Sequence, residues 1–217
     1  LNDPKYTWGV NDLAKARATL RLVKDLEDTG FRVYLQTRAG LDYFSHKLPR
    51  AKEQLAAVTA LMDDIEPHKL SSPDIIHVVS YSEGSSLASP EIINDSIRIS
   101  RYALESYRDL RAKGQVDDMS DHQDVRERMS FLIQGAKAVL DTIEKCIERP
   151  YTPQGLYDIF RLGFLPVPQL LHCRDEFPEA TRWQTRVRNG RVDVYQDGKP
   201  LQPQERMNLI RERILDR

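Results

Sequence analysis

A short apolar run that stops abruptly at polar residues constrains the fold of this chain more than any other feature. Residues 74–92 read DIIHVVSYSEGSSLASPEI, and the run at 75–79 is followed by Ser80, Tyr81, Ser82 and Glu83. Ser89 before Pro90 then predicts the start of a helix. A bounded apolar run of this kind indicates a strand covered on both faces, as in a parallel β/α unit. In such units ligands usually bind just past the end of the strand.

Other segments repeat the alternation of helix and strand. A stripe at helical spacing between Leu13 and Leu26 precedes FRVYLQTR, a second stripe at 48–65 precedes the run at 75–79, and FLPVPQLL from Phe164 indicates a third strand. Right-handed crossovers would make these strands parallel, but three are too few for a closed barrel. We therefore predict an α/β fold, a partial (β/α)8 TIM-type barrel of about three parallel β/α units, completed by another chain or a missing segment.

The C-terminal part has a different pattern. WQTRVRNGRVDVYQDG alternates with period two around Asn189-Gly190, which predicts a β-hairpin with a type I′ turn. This register sets Val187 opposite Val192, and Arg186 opposite Asp193. A final amphipathic helix is predicted from Pro203. Residues 1–170 are therefore interpreted as the barrel portion, and residues 171–217 as a tail with a hairpin and a helix.

Charge and cysteine content limit the classes of partner. The chain has 32 basic and 33 acidic residues and a formal net charge of -1, so it has no overall field to attract nucleic acid or an anionic membrane. We predict neither as a partner. Cys146 and Cys173 are far apart and form no metal motif, which favours a reducing compartment such as the cytoplasm. No segment has the length of an apolar membrane span, and the first residues do not read as a signal peptide.

Several segments together resemble a known family. VYLQTRAG carries Gln36 and Gly40, EQLAAVTALM follows as an alanine-rich helix, Glu83 stands before a helix containing IRISRYALESY, and GFLPVPQLLHCRDEF comes later. From about Phe31 to Leu201 this order is similar to the C-terminal half of the large barrel subunit of adenosylcobalamin-dependent glutamate mutase (methylaspartate mutase) and its relatives. The chain departs from that family at Val79, where the family has lysine, and at Arg38, where it has methionine.

The resemblance implies an isomerase that uses adenosylcobalamin in a radical 1,2-rearrangement of a small carboxylic or amino acid. It implies as partners the remaining barrel half and a small cobalamin-binding α/β domain, which carries the cobalt ligand. Arg38 is the candidate for binding the substrate carboxylate, and no catalytic residue or metal ligand is identified. The candidate cofactor-binding residues are Gln36, Ser80, Tyr81, Ser82, Glu83 and His172.

Each candidate has a structural alternative. Glu83 could cap its own loop, Arg38 could pair with Asp42, His77 could be a hydrogen-bonded core histidine, and His172 could lie on the surface. A site for phosphate or nucleic acid could be formed by Arg182, Arg186, Arg188 and Arg191, although a solvated hairpin is the simpler interpretation because stacking aromatics are lacking. Asp63-Asp64 and Asp117-Asp118 lack metal-loop spacing and are interpreted as helix-end and loop charges.

Two other functions remain open. The chain could be a noncatalytic half-barrel that binds or assembles other subunits, or another barrel enzyme that binds an anionic metabolite through Arg38. No nucleophile elbow, P-loop or GxGxxG motif occurs, which disfavours simple hydrolases, kinases and dehydrogenases.

Overall fold

The computed structural model describes residues 9–40, 43–188 and 190–216, and it divides into two compact units. The first unit runs to Met129 and the second runs from Ser130. Both units mix helices with small sheets. The sequence boundary predicted between residues 170 and 171 stays a prediction.

The first unit alternates helices with two short strands. Its elements are α1 (Val10–Lys24), β1 (Gln36–Arg38), α2 (Leu48–Asp63), β2 (Ile75–His77) and α3 (Pro90–Ala112). The two strands pair in parallel, with Gln36 beside Ile75 and Arg38 beside His77. Ser89 caps α3 by accepting a hydrogen bond from the Ile92 amide. The predicted parallel β/α arrangement is thus present for two strands, and the full partial barrel stays a proposal.

β1 is shorter than predicted because side-chain carboxylates occupy the backbone donors that precede it. Asp28 accepts from the Phe31 amide, Glu27 accepts from the Val33 amide, and Asp74 accepts from the Leu35 amide at 2.7 Å. A backbone N–H that donates to a side chain is lost to a strand ladder. The regular pairing of β1 therefore begins only at Gln36.

The expectation that β2 is covered on both faces is wrong for the described residues. Ile75 is 48% exposed, and His77 is also exposed, so the core-histidine interpretation of His77 is wrong as well. A buried apolar cluster of this unit is formed instead by α2 and by the segments that follow the two strands, and it includes Leu55, Phe44 and Val79. Most residues of the two strands are consequently exposed.

The second unit contains most of α4 together with the C-terminal elements. They are α4 (Gln123–Cys146), α5 (Pro153–Arg161), a 3₁₀ helix (Pro168–Cys173), α6 (Pro178–Thr181), β3 (Gln184–Arg188), β4 (Arg191–Gln196), β5 (Lys199–Pro200) and α7 (Pro203–Leu215). Its core is formed by Phe164, Trp183 and Met207 with isoleucines of α4, α5 and α7. Thr152 caps α5, as its position before Pro153 predicts.

The third predicted strand is wrong. Residues 168–173 form the 3₁₀ helix, and the residues just before it are irregular. Pro166 and Pro168 explain the difference, because proline has no N–H to donate to a ladder and its fixed φ suits the first position of a helix. The Val167 amide between them donates to the Ala180 carbonyl at 3.0 Å.

The predicted hairpin and final helix are confirmed. β3 and β4 pair antiparallel with Arg186 beside Asp193 and Val187 beside Val192. Asn189 lies outside the described residues, so the predicted type I′ turn is not tested. β5, which was not predicted, adds to the other side of β4 and gives the order β3-β4-β5.

Helix hydropathy bears on the membrane prediction. Over the ranges that the structure describes, none of the helices combines the length and the apolar character needed to cross a bilayer.

Candidate functional site

The carboxyl ends of β1 and β2 bring two of the singled-out side chains together. Arg38 is the last residue of β1, His77 is the last residue of β2, and the two are register partners. Both are exposed. The chain leaves β2 from this end and reaches Ser80 three residues later, whereas Gln36 lies at the first position of β1, beside Ile75.

Residues 80–83 form a turn that Glu83 closes. The Glu83 amide donates to the Ser80 carbonyl at 3.0 Å, and the Ser80 amide donates to Oε1 of the Glu83 carboxylate, also at 3.0 Å. This reciprocal pair positions the carboxylate on the turn while the residue remains exposed. Glu83 therefore does cap its own loop, and its role in binding a cofactor stays a prediction.

The three residues before Glu83 are turned into the protein. Ser80, Tyr81 and Ser82 are all buried, and Tyr81 is 5% exposed. The Tyr81 amide donates to Oγ of Ser96 in α3 at 3.3 Å, and its hydroxyl donates to Oδ2 of Asp95 at 3.2 Å. Tyr81 therefore attaches the turn to α3, while the buried hydroxyl oxygens of Ser80 and Ser82 lie 3.4 Å from each other.

A lysine from α2 completes the contacts of Tyr81. Nζ of Lys52 lies 4.8 Å from the centre of the Tyr81 ring and 2.6 Å from Oδ2 of Asp95. The hydrogen bond to Asp95 raises the pKa of Lys52, and the same bond lowers the pKa of Asp95. Both groups are thus held in their charged forms beside the turn.

Two further residues named in the sequence analysis are not tested by the structure. His172 is exposed on the 3₁₀ helix of the second unit, so its contact with a cofactor held by the first unit stays a prediction. Asp42, the alternative partner of Arg38, lies outside the described residues.

The largest charged feature of the first unit was missed in the sequence. Asp63 and Asp64, at the end of α2, are each only 3% exposed, although the sequence interpretation made them ordinary helix-end charges. Asp63 accepts hydrogen bonds from Nε and Nη2 of Arg108, the shortest at 2.6 Å, and Nη1 of Arg111 lies 2.8 Å from its second oxygen.

Asp64 makes further contacts with α3 and extends the network to α1. It accepts from the Tyr107 hydroxyl and from Nη2 of Arg111, both at 2.6 Å, and its carbonyl accepts from Nε of Arg17 in α1 at 3.2 Å. We call the six residues the acid–arginine cluster: Arg17, Asp63, Asp64, Tyr107, Arg108 and Arg111. Burial raises the pKa of Asp64, and burial together with the Asp64 hydrogen bond raises the pKa of Tyr107. The cluster joins α1, α2 and α3.

A sequence signal for the cluster did exist. Arg108 and Arg111 are three residues apart on α3, so they share one helix face, and a consecutive acidic pair ends the preceding helix. The contact between α2 and α3 could not be predicted from the sequence.

Within the ranges that the structure describes, no group of three or more histidine, cysteine, aspartate or glutamate side chains is arranged to hold a metal ion. Comparison of the chain with family models, with curated proteins and with solved structures finds no match.

Proposed function

We propose that this chain forms part of the β/α barrel of an adenosylcobalamin-dependent mutase that rearranges a small carboxylic or amino acid. One observation supports it most: a parallel pair of strands carries Arg38 and His77 at its carboxyl end, just before the turn that positions Glu83. Ligands of parallel β/α folds bind at this end of the sheet.

The open sheet supports a partner that supplies further strands. Parallel sheets are normally covered on both faces and paired on both sides. Here, among the described residues, β1 and β2 pair only with each other, and Ile75 is 48% exposed. Phe31 and Tyr34, just before β1, are exposed as well. The remaining barrel half would cover this apolar surface.

The donor and acceptor groups at the strand ends fit the adenosyl part of the cofactor and an acidic substrate. The Glu83 carboxylate can accept hydrogen bonds from ribose hydroxyls, because the Ser80 amide already fixes its direction. The guanidinium of Arg38 can bind a carboxylate in a two-pronged contact. When bound, the cofactor supplies the radical chemistry, and this chain orients the reactants and excludes water.

Gln36 and His77 would support these contacts from the sheet itself. Both are exposed polar side chains of the parallel pair, although only His77 lies at its carboxyl end. The corrin would be held by the separate small α/β domain, which remains a proposed partner.

The burial of Ser80, Tyr81 and Ser82 favours a second candidate function. Buried side chains have little freedom to contact a cofactor. The bond from the Tyr81 amide to Ser96 of α3 also gives this turn a structural role that requires no cofactor. A noncatalytic half-barrel that binds or assembles other subunits would retain this arrangement and lose the chemistry.

The deciding experiment is a titration of the assembled complex with adenosylcobalamin, followed by calorimetry and visible absorbance, together with turnover of small acids. Glu83→Gln keeps an oxygen for the Ser80 amide but removes the charge. Two charge-assisted hydrogen bonds to ribose are worth roughly 3 kcal/mol, so cofactor binding or turnover should fall by about a hundredfold. Arg38→Ala should raise the substrate concentration required and leave cofactor binding unchanged.

Glu53→Gln is the matched control, because Glu53 is an exposed glutamate of α2 whose ion pair among the described residues is with its helix neighbour Arg50 at 3.1 Å. It should change neither binding nor turnover. If the wild-type complex neither binds adenosylcobalamin nor isomerises any small acid tested, the assembly function becomes the better proposal.

A further inference from the structure

The second unit presents an open strand edge. In the order β3-β4-β5, β3 is the outer strand, and within the described chain its backbone pairs only with β4. β3 spans Gln184–Arg188, and all of its residues except Thr185 are exposed. An outer strand of this length offers a row of N–H and C=O groups to another extended chain.

The side chains of the hairpin divide into a charged face and an apolar face. Because side chains alternate along a strand, Arg186 and Arg188 share one face of β3. Arg191, the register partner of Arg188, lies on the same face of β4. The opposite face carries Val187 and Val192, which are register partners and are 66% and 42% exposed.

The charged face has more positive than negative charge. Asp193 forms an ion pair with Nε of Arg191 at 3.1 Å, whereas the guanidinium of Arg186 lies 4.9 Å from the centre of the Tyr195 ring. Three guanidinium groups of the hairpin thus share one carboxylate. Arg188 stands directly opposite Arg191, and like charges in that position destabilise a sheet. A bound anionic group would relieve this repulsion.

Buried aromatic rings disfavour a single-stranded nucleic acid as the partner. Tyr195 is 7% exposed and Trp183 is 5% exposed, so neither presents a ring face on which a base could stack. The exposed valines on the other face require apolar groups from the partner, which a phosphate backbone does not supply. Both faces are matched by a polypeptide strand.

We propose that the edge of β3 binds an extended segment of a partner protein by strand addition, and that this segment alternates acidic with apolar residues. Its backbone would pair with β3, its acidic side chains would meet Arg186 and Arg188, and its apolar side chains would cover Val187. Charged residues on an outer strand disfavour pairing with apolar or positively charged strands. The same positive charge favours pairing with an acidic strand. This surface is separate from the site of the proposed mutase function.

The test uses a fluorescein-labelled peptide of alternating glutamate and valine, about ten residues long. Fluorescence anisotropy with the full chain gives the dissociation constant, and amide chemical shifts locate the site. The comparison peptide has the same composition with all its glutamates at one end. Two further peptides are N-methylated on alternate amides, so that one of them loses the donors facing β3.

Arg188→Glu should weaken binding of the alternating peptide by roughly tenfold or more, because it replaces an attractive ionic contact with a repulsive one. The variant also places a carboxylate opposite Arg191, so the hairpin should be at least as stable as in the wild type. Lost binding could then not be attributed to unfolding. Arg174→Glu is the control, since Arg174 is an exposed arginine of the second unit outside the hairpin. This variant should bind the alternating peptide as tightly as the wild type does.

The proposal is supported if the alternating peptide binds, one N-methylated peptide does not, and shifts concentrate in β3. Equal binding of the comparison peptide, or of both N-methylated peptides, would show attraction by charge alone and overturn strand addition. Tighter binding of a DNA duplex than of the peptide would assign the hairpin to nucleic acid instead. If the alternating peptide does not bind, the arginines only protect the edge.

Discussion

Replacing Asp63 with asparagine should destabilise the first unit far more than its single charge suggests. The side chain is almost completely buried and accepts hydrogen bonds from two arginines of α3. Asparagine has nearly the same size, so Asp63→Asn creates no cavity. It leaves one acceptor oxygen in place of two charged ones, and its amide group would face guanidinium donors.

The magnitude follows from what is left behind. Arg108 and Arg111 keep 29% and 14% of their side-chain surface exposed, so neither charge can regain full hydration. Removing one partner of such a buried pair costs about 3–5 kcal/mol, and the remaining bonds to Asp64 and to backbone carbonyls place the expected loss near the lower figure. A loss of about 3 kcal/mol is a large part of the stability of an ordinary domain.

Urea denaturation followed by far-UV circular dichroism measures this loss, and hydrogen exchange of the α2 and α3 amides locates it. Asp109→Asn is the matched control, because Asp109 lies on α3 in an exposed pair with Lys113 and should change the free energy of unfolding by less than about 0.5 kcal/mol. If Asp63→Asn also costs less than about 1 kcal/mol, the acid–arginine cluster does not hold the three helices together.

Three further perturbations test the second unit and the ionisable groups. Burial would raise the pKa of Glu179, but Arg182 and Arg213 hold it below its usual range, so its stabilisation should disappear as pH falls below about 4.5. Glu179→Gln should flatten that acid loss in denaturation curves, and an unchanged acid limb would contradict it. Burial raises the pKa of Tyr43 to about 12, so the free energy of unfolding should fall as pH rises from about 10. Tyr43→Phe should remove part of this fall. Equal slopes of stability against pH in the wild type and the variant would contradict the prediction. Gly163→Ala should lower the free energy of unfolding, measured by urea denaturation, by about 2 kcal/mol or more. The reason is that φ is +81° and the added Cβ would lie 2.7 Å from the Glu179 carbonyl oxygen. A change under about 0.5 kcal/mol would contradict the prediction.

Features decided by neighbouring residues could be predicted from the sequence. Ser89 and Thr152 cap their helices because each precedes a proline at the first helical position, and both contacts are present. The hairpin register follows from Asn189-Gly190 and the alternation around it, and the pairing of Val187 with Val192 matches. In each case the interactions span only a few residues of chain.

Features decided by contacts between distant segments could not be predicted. The apolar run at 75–79 looked like a buried strand, yet burial requires neighbouring strands that the described chain does not supply. The start of β1 depends on Asp74, which reaches the Leu35 amide from 39 residues away. The burial of Asp63 likewise depends on Arg108, 45 residues later, and the acidic pair at 63–64 does not by itself show which helix covers it.

At the candidate site, the sequence located the turn correctly but not the direction of its side chains. Glu83 is exposed, whereas Tyr81 points towards α3. A pattern of polar residues after a strand shows where a chain can meet a ligand. Which of those residues face outwards depends on the helix that follows, and Ser96 in α3 binds the Tyr81 amide here.

The acid–arginine cluster gives the two units different responses to heat. The core of the second unit is largely apolar, with Phe164, Trp183 and Met207 at its centre, and apolar stabilisation levels off as temperature rises. The free energy of hydrating ions becomes less favourable on warming, so removing the carboxylates and guanidinium groups from water costs less in a warm protein than in a cold one. The helices of the first unit should therefore retain their mutual contacts relatively better as the temperature rises.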